Sequence, residues 1–167
     1  MNRFYLLLLF ALAGGVLAAQ SEGGELRGIF DLSYGMAREE AIATLTSQGF
    51  QYGRGQTAVY CMYPAPADTL AGMRVTLYFY DPGTRLSGWD IRFPLQDAPE
   101  LEQNVIQVLT DLHGDGINIF SSSEHSTVFW YPDDYHVIKA YFDEDDGCFW
   151  VFYTHQKPEE DDDYWDD

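Results

Sequence analysis

The sequence predicts an α+β fold in which two tandem α-β-β-β units pack their helices on one face of an antiparallel sheet. Two observations lead to this expectation. Helical periodicity occurs twice, and each helix ends at a glycine and is followed by three segments with strand periodicity. Landmarks also recur, since Trp89 and Trp150 lie 40 and 36 positions after those two glycines. We therefore expect one domain over residues 28–156, divided into units 28–95 and 96–156.

The first unit is expected to begin with a short strand at 28–32 and to continue as a helix over 37–48. Ala41, Ile42 and Leu45 recur on one face of that helix. Strand periodicity follows three times, and in the second instance apolar residues alternate with Thr and Tyr. The expected strands are 57–63, 74–80 and 86–95.

The second unit has the clearer helix. Its start at 97–100 reads as a capping box with proline in the first turn. An apolar stripe follows, spaced as one helical face, and consists of Leu101, Val105, Val108, Leu109 and Leu112. Asp146-Gly147 indicates a tight hairpin turn. The expected strands are 127–131, 136–142 and 148–154.

The first nineteen residues have the layout of a secretory signal peptide. A positive start at Arg3 precedes an apolar run and small residues for a peptidase, and the run is too short for a comfortable membrane span. We expect residues 1–19 to be removed, residues 20–27 to form a loose leader, and the product to be soluble in the periplasm or secreted. No lipid anchor is expected, because the first cysteine, Cys61, lies far inside the domain.

The chain is strongly acidic, with a formal net charge of −18. Such a surface repels phosphate backbones and anionic headgroups, so we expect neither nucleic acid nor a membrane as a partner. Seven acidic residues lie in 159–167, and residues 157–167 are expected to form a disordered, solvating tail. Tyr164 and Trp165 are unusual in such a tail and, as an alternative, suit a short docking element.

In an oxidising compartment, Cys61 and Cys148 allow a single intramolecular disulfide between the two units. The alternative is two buried free thiols, because free cysteine packs as a small hydrophobe. A bridge needs the two Cα atoms within about 7 Å, and the sequence leaves both alternatives open.

The segment 35–41, with Leu45 and Gly49-Phe50 after it, resembles the helix-plus-meander unit of the SmpA/OmlA outer-membrane assembly lipoproteins. A tandem pair of such units resembles the β-lactamase-inhibitory protein fold. The resemblance implies a protein that binds other proteins, and it transfers no functional residue. The chain departs from the pattern at Ala37, where a Ser or Thr cap is preferred, and in lacking the lipid-acceptor cysteine.

No motif in the sequence predicts catalysis or a bound metal. The histidines have no metal-ligand spacing; they are His113, His125, His136 and His155. Residues 111–122 imitate a calcium loop, but Ser122 stands where a bidentate glutamate is needed. We therefore expect no cofactor, no metal and no enzymatic activity. The alternative is a small hydrolase, which requires several of these histidines and nearby carboxylates to converge in one pocket.

Aromatic side chains on the expected strands give the best indication of function. If the helices cover one face of the sheet, the other can present Tyr and Trp to a protein partner, because rigid rings supply contact area at low entropic cost. The alternative is a sheet buried on both faces, or ordinary cross-strand stacking. We expect an exported binding module of the bacterial envelope, with an inhibitor of a secreted enzyme as a further alternative. The expected contact residues are Tyr78, Tyr80, Trp89, Trp150 and Phe152.

Overall fold

The computed structural model describes residues 26–56, 58–64, 72–80, 84–94, 100–121 and 126–155. Within these ranges the chain forms one eight-stranded antiparallel sheet, two α-helices and a 3₁₀ turn. The helices are α1 (Arg38–Ser47) and α2 (Leu101–His113), and the 3₁₀ turn is Ile29–Asp31. The strands are β1 (Phe50–Gln56), β2 (Val59–Pro64), β3 (Arg74–Phe79), β4 (Leu86–Pro94), β5 (Ile117–Ser121), β6 (Ser126–Trp130), β7 (His136–Asp143) and β8 (Cys148–His155). The expected signal peptide and acidic tail lie outside the described residues, as does most of the expected leader.

The strands are arranged in the order β1-β2-β3-β4-β8-β7-β6-β5. One antiparallel meander follows α1, another follows α2, and the two join where β4 pairs with β8. The expectation of two tandem α-β-β-β units is therefore wrong. A single continuous sheet dominates the structure, and four strands rather than three follow each helix. The two strands that the sequence did not reveal, β1 and β5, form the two edges of the sheet.

The edge strand β1 escapes recognition because glycines interrupt it. Gly53 and Gly55 lower its strand propensity, and its pairing with β2 shifts register between Tyr52 and Arg54. A Cβ atom added to Gly53 would lie 2.1 Å from the ring of Tyr63, so that ring occupies the space of a side chain. β1 is thus an irregular strand that a two-residue period does not describe.

The segment expected as a strand at 28–32 is instead a 3₁₀ turn packed into the core. Phe30 is buried and adopts a positive φ of 66°, which a strand does not contain. The backbone amide of Ile29 donates a hydrogen bond to the hydroxyl of Tyr153 at 3.1 Å. Gly28 permits this close approach, because an added Cβ atom would lie 2.5 Å from the rings of Trp89 and Tyr153.

The two helices bury the apolar residues that the sequence predicts, but neither begins with a side-chain capping bond. The N-cap residue of α1 is Ala37, and it makes no side-chain capping bond. α2 begins at Leu101, and of its stripe Leu101, Val105 and Leu109 are buried in the same cluster as the strand residues. Neither described helix combines the length and the apolar character that crossing a membrane requires.

The core face of the sheet is defined by a row of directly opposed residues on five neighbouring strands: Leu77, Trp89, Tyr153, Ile138 and Trp130. Each of them is at most 2 % exposed. Trp89 stacks on Tyr153 with ring centroids 4.3 Å apart. Trp89, expected as a contact residue, is therefore a core residue, and burial of such a side chain stabilises the fold by about 2–3 kcal/mol.

The two cysteines are free thiols in the structure, so of the two alternatives left open by the sequence the disulfide is absent. Cys61 lies on β2 and Cys148 on β8, and β3 and β4 run between these strands. Three interstrand spacings amount to about 14 Å, twice the Cα separation that a bridge tolerates. The sheet order itself therefore keeps the two sulfur atoms apart.

Candidate functional site

The second face of the sheet, termed the open face, carries aromatic and cationic side chains across its central strands. One row of directly opposed residues runs Thr76, Asp90, Phe152, Lys139 and Phe129. A second row runs Arg74, Arg92, Trp150 and Tyr141. Most of these side chains are half-buried, in contrast to the core face. The open face is thus a mixed surface on the four strands β3, β4, β8 and β7, extended onto β6 by Phe129.

Three aromatic rings stack along the middle of the open face. The ring centroids of Trp150 and Phe152 are 5.5 Å apart with an interplanar angle of 18°. Those of Tyr141 and Phe152 are 5.8 Å apart at 10°. Because both angles are small, the three rings are close to parallel and form a ridge that neighbouring strands hold rigidly.

A cation lies against each side of this ridge. The guanidinium of Arg74 is 5.2 Å from the centroid of Trp150. The amine of Lys139 is 4.3 Å from the centroid of Tyr141 and 5.8 Å from that of Phe129. Both distances fall within the range of cation–π attraction. Neither Arg74 nor Lys139 forms an ion pair with a carboxylate among the described residues, although the charge of Arg74 acts to lower the pKa of the nearby Asp90.

Two hydrogen-bonded groups frame the ridge. The hydroxyl of Tyr78 donates a hydrogen bond to the carboxylate of Asp90 on the neighbouring strand. Burial raises the pKa of Asp90, while the hydrogen bond from Tyr78 opposes the shift. Burial and the same hydrogen bond raise the pKa of Tyr78. Tyr78 is therefore a neutral donor locked onto the sheet, with 38 % of its surface exposed.

Just before β8, Asp146 contacts both Arg92 and Trp150. Its Oδ2 atom lies 3.2 Å from Nε of Arg92 and accepts a hydrogen bond from Nε1 of Trp150 at 3.3 Å. The second contact fixes the orientation of the indole ring. The aromatic ridge is consequently preorganised, which lowers the entropic cost of binding.

The structure brings together three of the five expected contact residues. Tyr78, Trp150 and Phe152 share the open face, whereas Trp89 is in the core. The predicted equivalence of Trp89 with Trp150 is wrong, because Trp89 pairs with Tyr153 and the two tryptophans lie on opposite faces.

Tyr80 also lies apart from the open-face ridge. The register shifts between Tyr78 and Phe79, and the Tyr80 hydroxyl is hydrogen-bonded to Nε2 of His155. Tyr80 therefore belongs to a second cluster, described next.

Sequence reasoning missed the cationic members of the open face, Arg74 and Lys139, together with Tyr141. A signal for them exists in β7, where Val137, Lys139 and Tyr141 alternate with Ile138, Ala140 and Phe142. Extending the two-residue period across paired strands would have placed these residues beside Phe152.

The second cluster gathers two histidines and two tyrosines where β7 begins and β8 ends. The ring centroid of Tyr34 lies 4.0 Å from that of His136 and 5.0 Å from that of His155, and the two histidine rings are 4.5 Å apart. The pKa of His155 is lowered by burial and by the neighbouring His136. The Tyr34 hydroxyl donates to the backbone oxygen of Thr154 at 3.2 Å.

Asp133 orients His136 within this cluster. Its carboxylate lies 2.7 Å from Nδ1 of His136, and although burial opposes the shift, this hydrogen bond lowers the pKa of Asp133. The pairing resembles the base-and-orienter half of a hydrolase site. Among the described residues, no Ser, Thr or Cys side chain is hydrogen-bonded to either histidine ring. His125 lies outside the described residues.

His113 lies at a third position, in the core rather than in the histidine cluster. Its Nε2 atom is 3.3 Å from the hydroxyl of Tyr153. Burial lowers the pKa of His113 to about 4, so the ring is neutral at neutral pH. No three His, Cys, Asp or Glu residues are grouped as metal ligands in the part of the chain that the structure describes.

No known protein provides a template for interpreting this site. No protein-family model matches the chain, and neither a curated protein nor a solved structure matches it significantly.

Proposed function

We propose that this protein is an exported binding module of the bacterial envelope and that the open face is its contact surface. The observation that carries the proposal is the convergence of Trp150, Phe152 and Tyr141 with Arg74 and Lys139 on one sheet face. Aromatic residues and arginine are the side chains most enriched in the energetic centres of protein interfaces. The proposed export rests on the predicted signal peptide at residues 1–19.

The chemistry of the open face defines the kind of partner. A planar aromatic ridge favours an apolar or aromatic side chain of the partner, while the cations Arg74 and Lys139 favour carboxylates next to it. We therefore propose that the partner contributes a segment of chain that contains both. The whole chain has a formal net charge of −18. The acidic remainder of its surface would therefore repel such a segment and would direct it to this face.

Binding variants test the proposal. Trp150→Ala and Lys139→Ala should each weaken the complex with a partner isolated from envelope extract about 10-fold or more, as expected for residues at the centre of an interface. Tyr135→Ala is the matched control, because Tyr135 is an aromatic residue that is 60 % exposed and lies in the loop before β7. Each variant must still unfold cooperatively in urea, so that a loss of binding does not come from a loss of folding. Equal binding by all three variants would refute the proposed surface.

A further inference from the structure

The open face holds a larger share of cations than the rest of this acidic protein, together with the carboxylates of Asp90 and Asp143 and, at its margin, that of Asp146. Arg74, Arg92 and Lys139 lie on it, and Arg54, opposite Cys61, lies on the same side of the sheet. These are four of the nine Lys and Arg residues of the chain. Among them only Arg92 forms an ion pair with a described carboxylate, that of Asp146.

The chain itself contains a segment with the complementary chemistry. Residues 157–167 hold seven of the 27 acidic residues of the chain, and two aromatic residues, Tyr164 and Trp165, stand among them. The segment therefore combines carboxylates with stacking side chains, as the open face requires. Its composition alone would explain solubility, but solubility does not need the two aromatic residues.

The length of the segment also fits. β8 ends at His155, and Trp150 lies five residues earlier on the same strand, a distance of about 17 Å at the rise of a β-strand. Ten residues connect His155 to Trp165, which an extended chain spans over about 33–36 Å. A reversal after β8 thus leaves ample chain for Trp165 to return to the level of Trp150. Arg92 lies directly opposite Trp150 on one neighbouring strand, and Lys139 lies directly opposite Phe152 on the other, each about 5 Å from its partner.

We propose that residues 157–167 bind the open face of their own sheet, with Tyr164 and Trp165 on the ridge of Trp150 and Phe152. The acidic residues of the segment then pair with Arg74 and Lys139. This inference rests on the proposed function in that both use the open face: the segment occupies the surface in the free protein, and a partner with similar chemistry displaces it. A tethered competitor of this kind raises the affinity threshold that any partner must exceed.

Fluorine NMR on the full chain labelled with 5-fluorotryptophan tests the inference with internal controls. The chain has four tryptophans, of which Trp89 and Trp130 are buried in the core, Trp150 is on the open face and Trp165 is in the segment. Each resonance is assigned with a Trp→Phe variant. Trp165→Ala should move the Trp150 resonance and leave those of Trp89 and Trp130 in place.

Charge variants make the reciprocal measurement. The double change Arg74→Gln and Lys139→Gln should move the Trp165 resonance to the position it has in a synthetic peptide of residues 157–167. Arg85→Gln is the matched control, since Arg85 is exposed and its guanidinium bonds the backbone oxygen of Gly35, away from the open face. That change should leave the Trp165 resonance where it is in the wild type.

Two results would overturn the inference. A wild-type Trp165 resonance already at the free-peptide position shows that the segment does not bind the face. A Trp150 shift that grows with protein concentration shows that the segment comes from a second copy rather than from the same chain. Neither result touches the proposed function, which fails instead if partner binding is indifferent to Trp150→Ala and Lys139→Ala.

Discussion

Acidification should destabilise this protein in part through His113, a partly buried histidine. Its pKa is about 4 in the folded protein because burial disfavours the charged ring. In the unfolded chain a histidine has a pKa of about 6.5. Below pH 6.5 the unfolded chain therefore binds a proton that the folded protein does not bind, and the free energy of unfolding falls as the pH falls. The contribution is complete above pH 6.5 and is lost progressively down to about pH 4.

The size of the effect follows from the two pKa values. Between pH 7.5 and pH 5 the loss is about 2 kcal/mol, and at pH 4 it reaches about 3 kcal/mol.

Urea unfolding at pH 7.5 and pH 5, followed by circular dichroism, measures this loss. His113→Gln removes the titrating group, so the variant should lose about 2 kcal/mol less than the wild type over the same interval. Taking the difference between the two proteins cancels the titration of the carboxylates that they share. An equal loss in wild type and variant would refute the assignment of a depressed pKa to His113.

Three further predictions concern packing and the thiols. Trp89→Ala should lower the free energy of unfolding by about 3–5 kcal/mol, whereas Trp150→Ala on the open face should cost about 1–2 kcal/mol, and urea titration separates them. Gly28→Ala should cost about 1–3 kcal/mol by overpacking against the ring of Trp89, with a matching fall in the thermal midpoint. When the protein is unfolded without reductant and alkylated, mass spectrometry should find one alkyl group on each of Cys61 and Cys148. An unlabelled protein would mean that the two cysteines form a disulfide, which would contradict the strand order.

The regular elements of the fold were accessible from the sequence because their periods are clean. The apolar stripe of α2 recurs at helical spacing, and its members Leu101, Val105 and Leu109 are buried as expected. The alternation in β3 likewise placed Val75 and Leu77 on the core face. In these segments local pattern and tertiary burial agree.

The remainder depended on contacts between distant residues. Phe30 adopts a positive φ because the turn fits against the Trp89–Tyr153 stack, and nothing within residues 28–32 reveals that fit. The strand β1 contains two glycines, which lower its strand propensity, so its sequence pattern is typical of a loop. The pairing of β4 with β8 decides which tryptophan is buried, and only the complete sheet shows it.

The candidate site was partly predictable for the same reason. Tyr78, Trp150 and Phe152 were correctly placed opposite the apolar positions of their own strands. Arg74 and Lys139 were overlooked, because a cation can be assigned to an aromatic site only when the strand register that brings it against a ring is known. Tyr80 was misplaced by the register shift at the end of β3.

The central claim is that the open face is the surface through which this protein meets its partner. Site-specific photo-crosslinking tests it most directly, with p-benzoylphenylalanine placed at Phe152 and, as the control, at Tyr135 in the loop before β7. We predict that the probe at position 152 yields a discrete cross-linked partner in cells, and that excess synthetic peptide of residues 157–167 suppresses it in extract. A partner captured equally from position 135, or from position 135 alone, would contradict the claim.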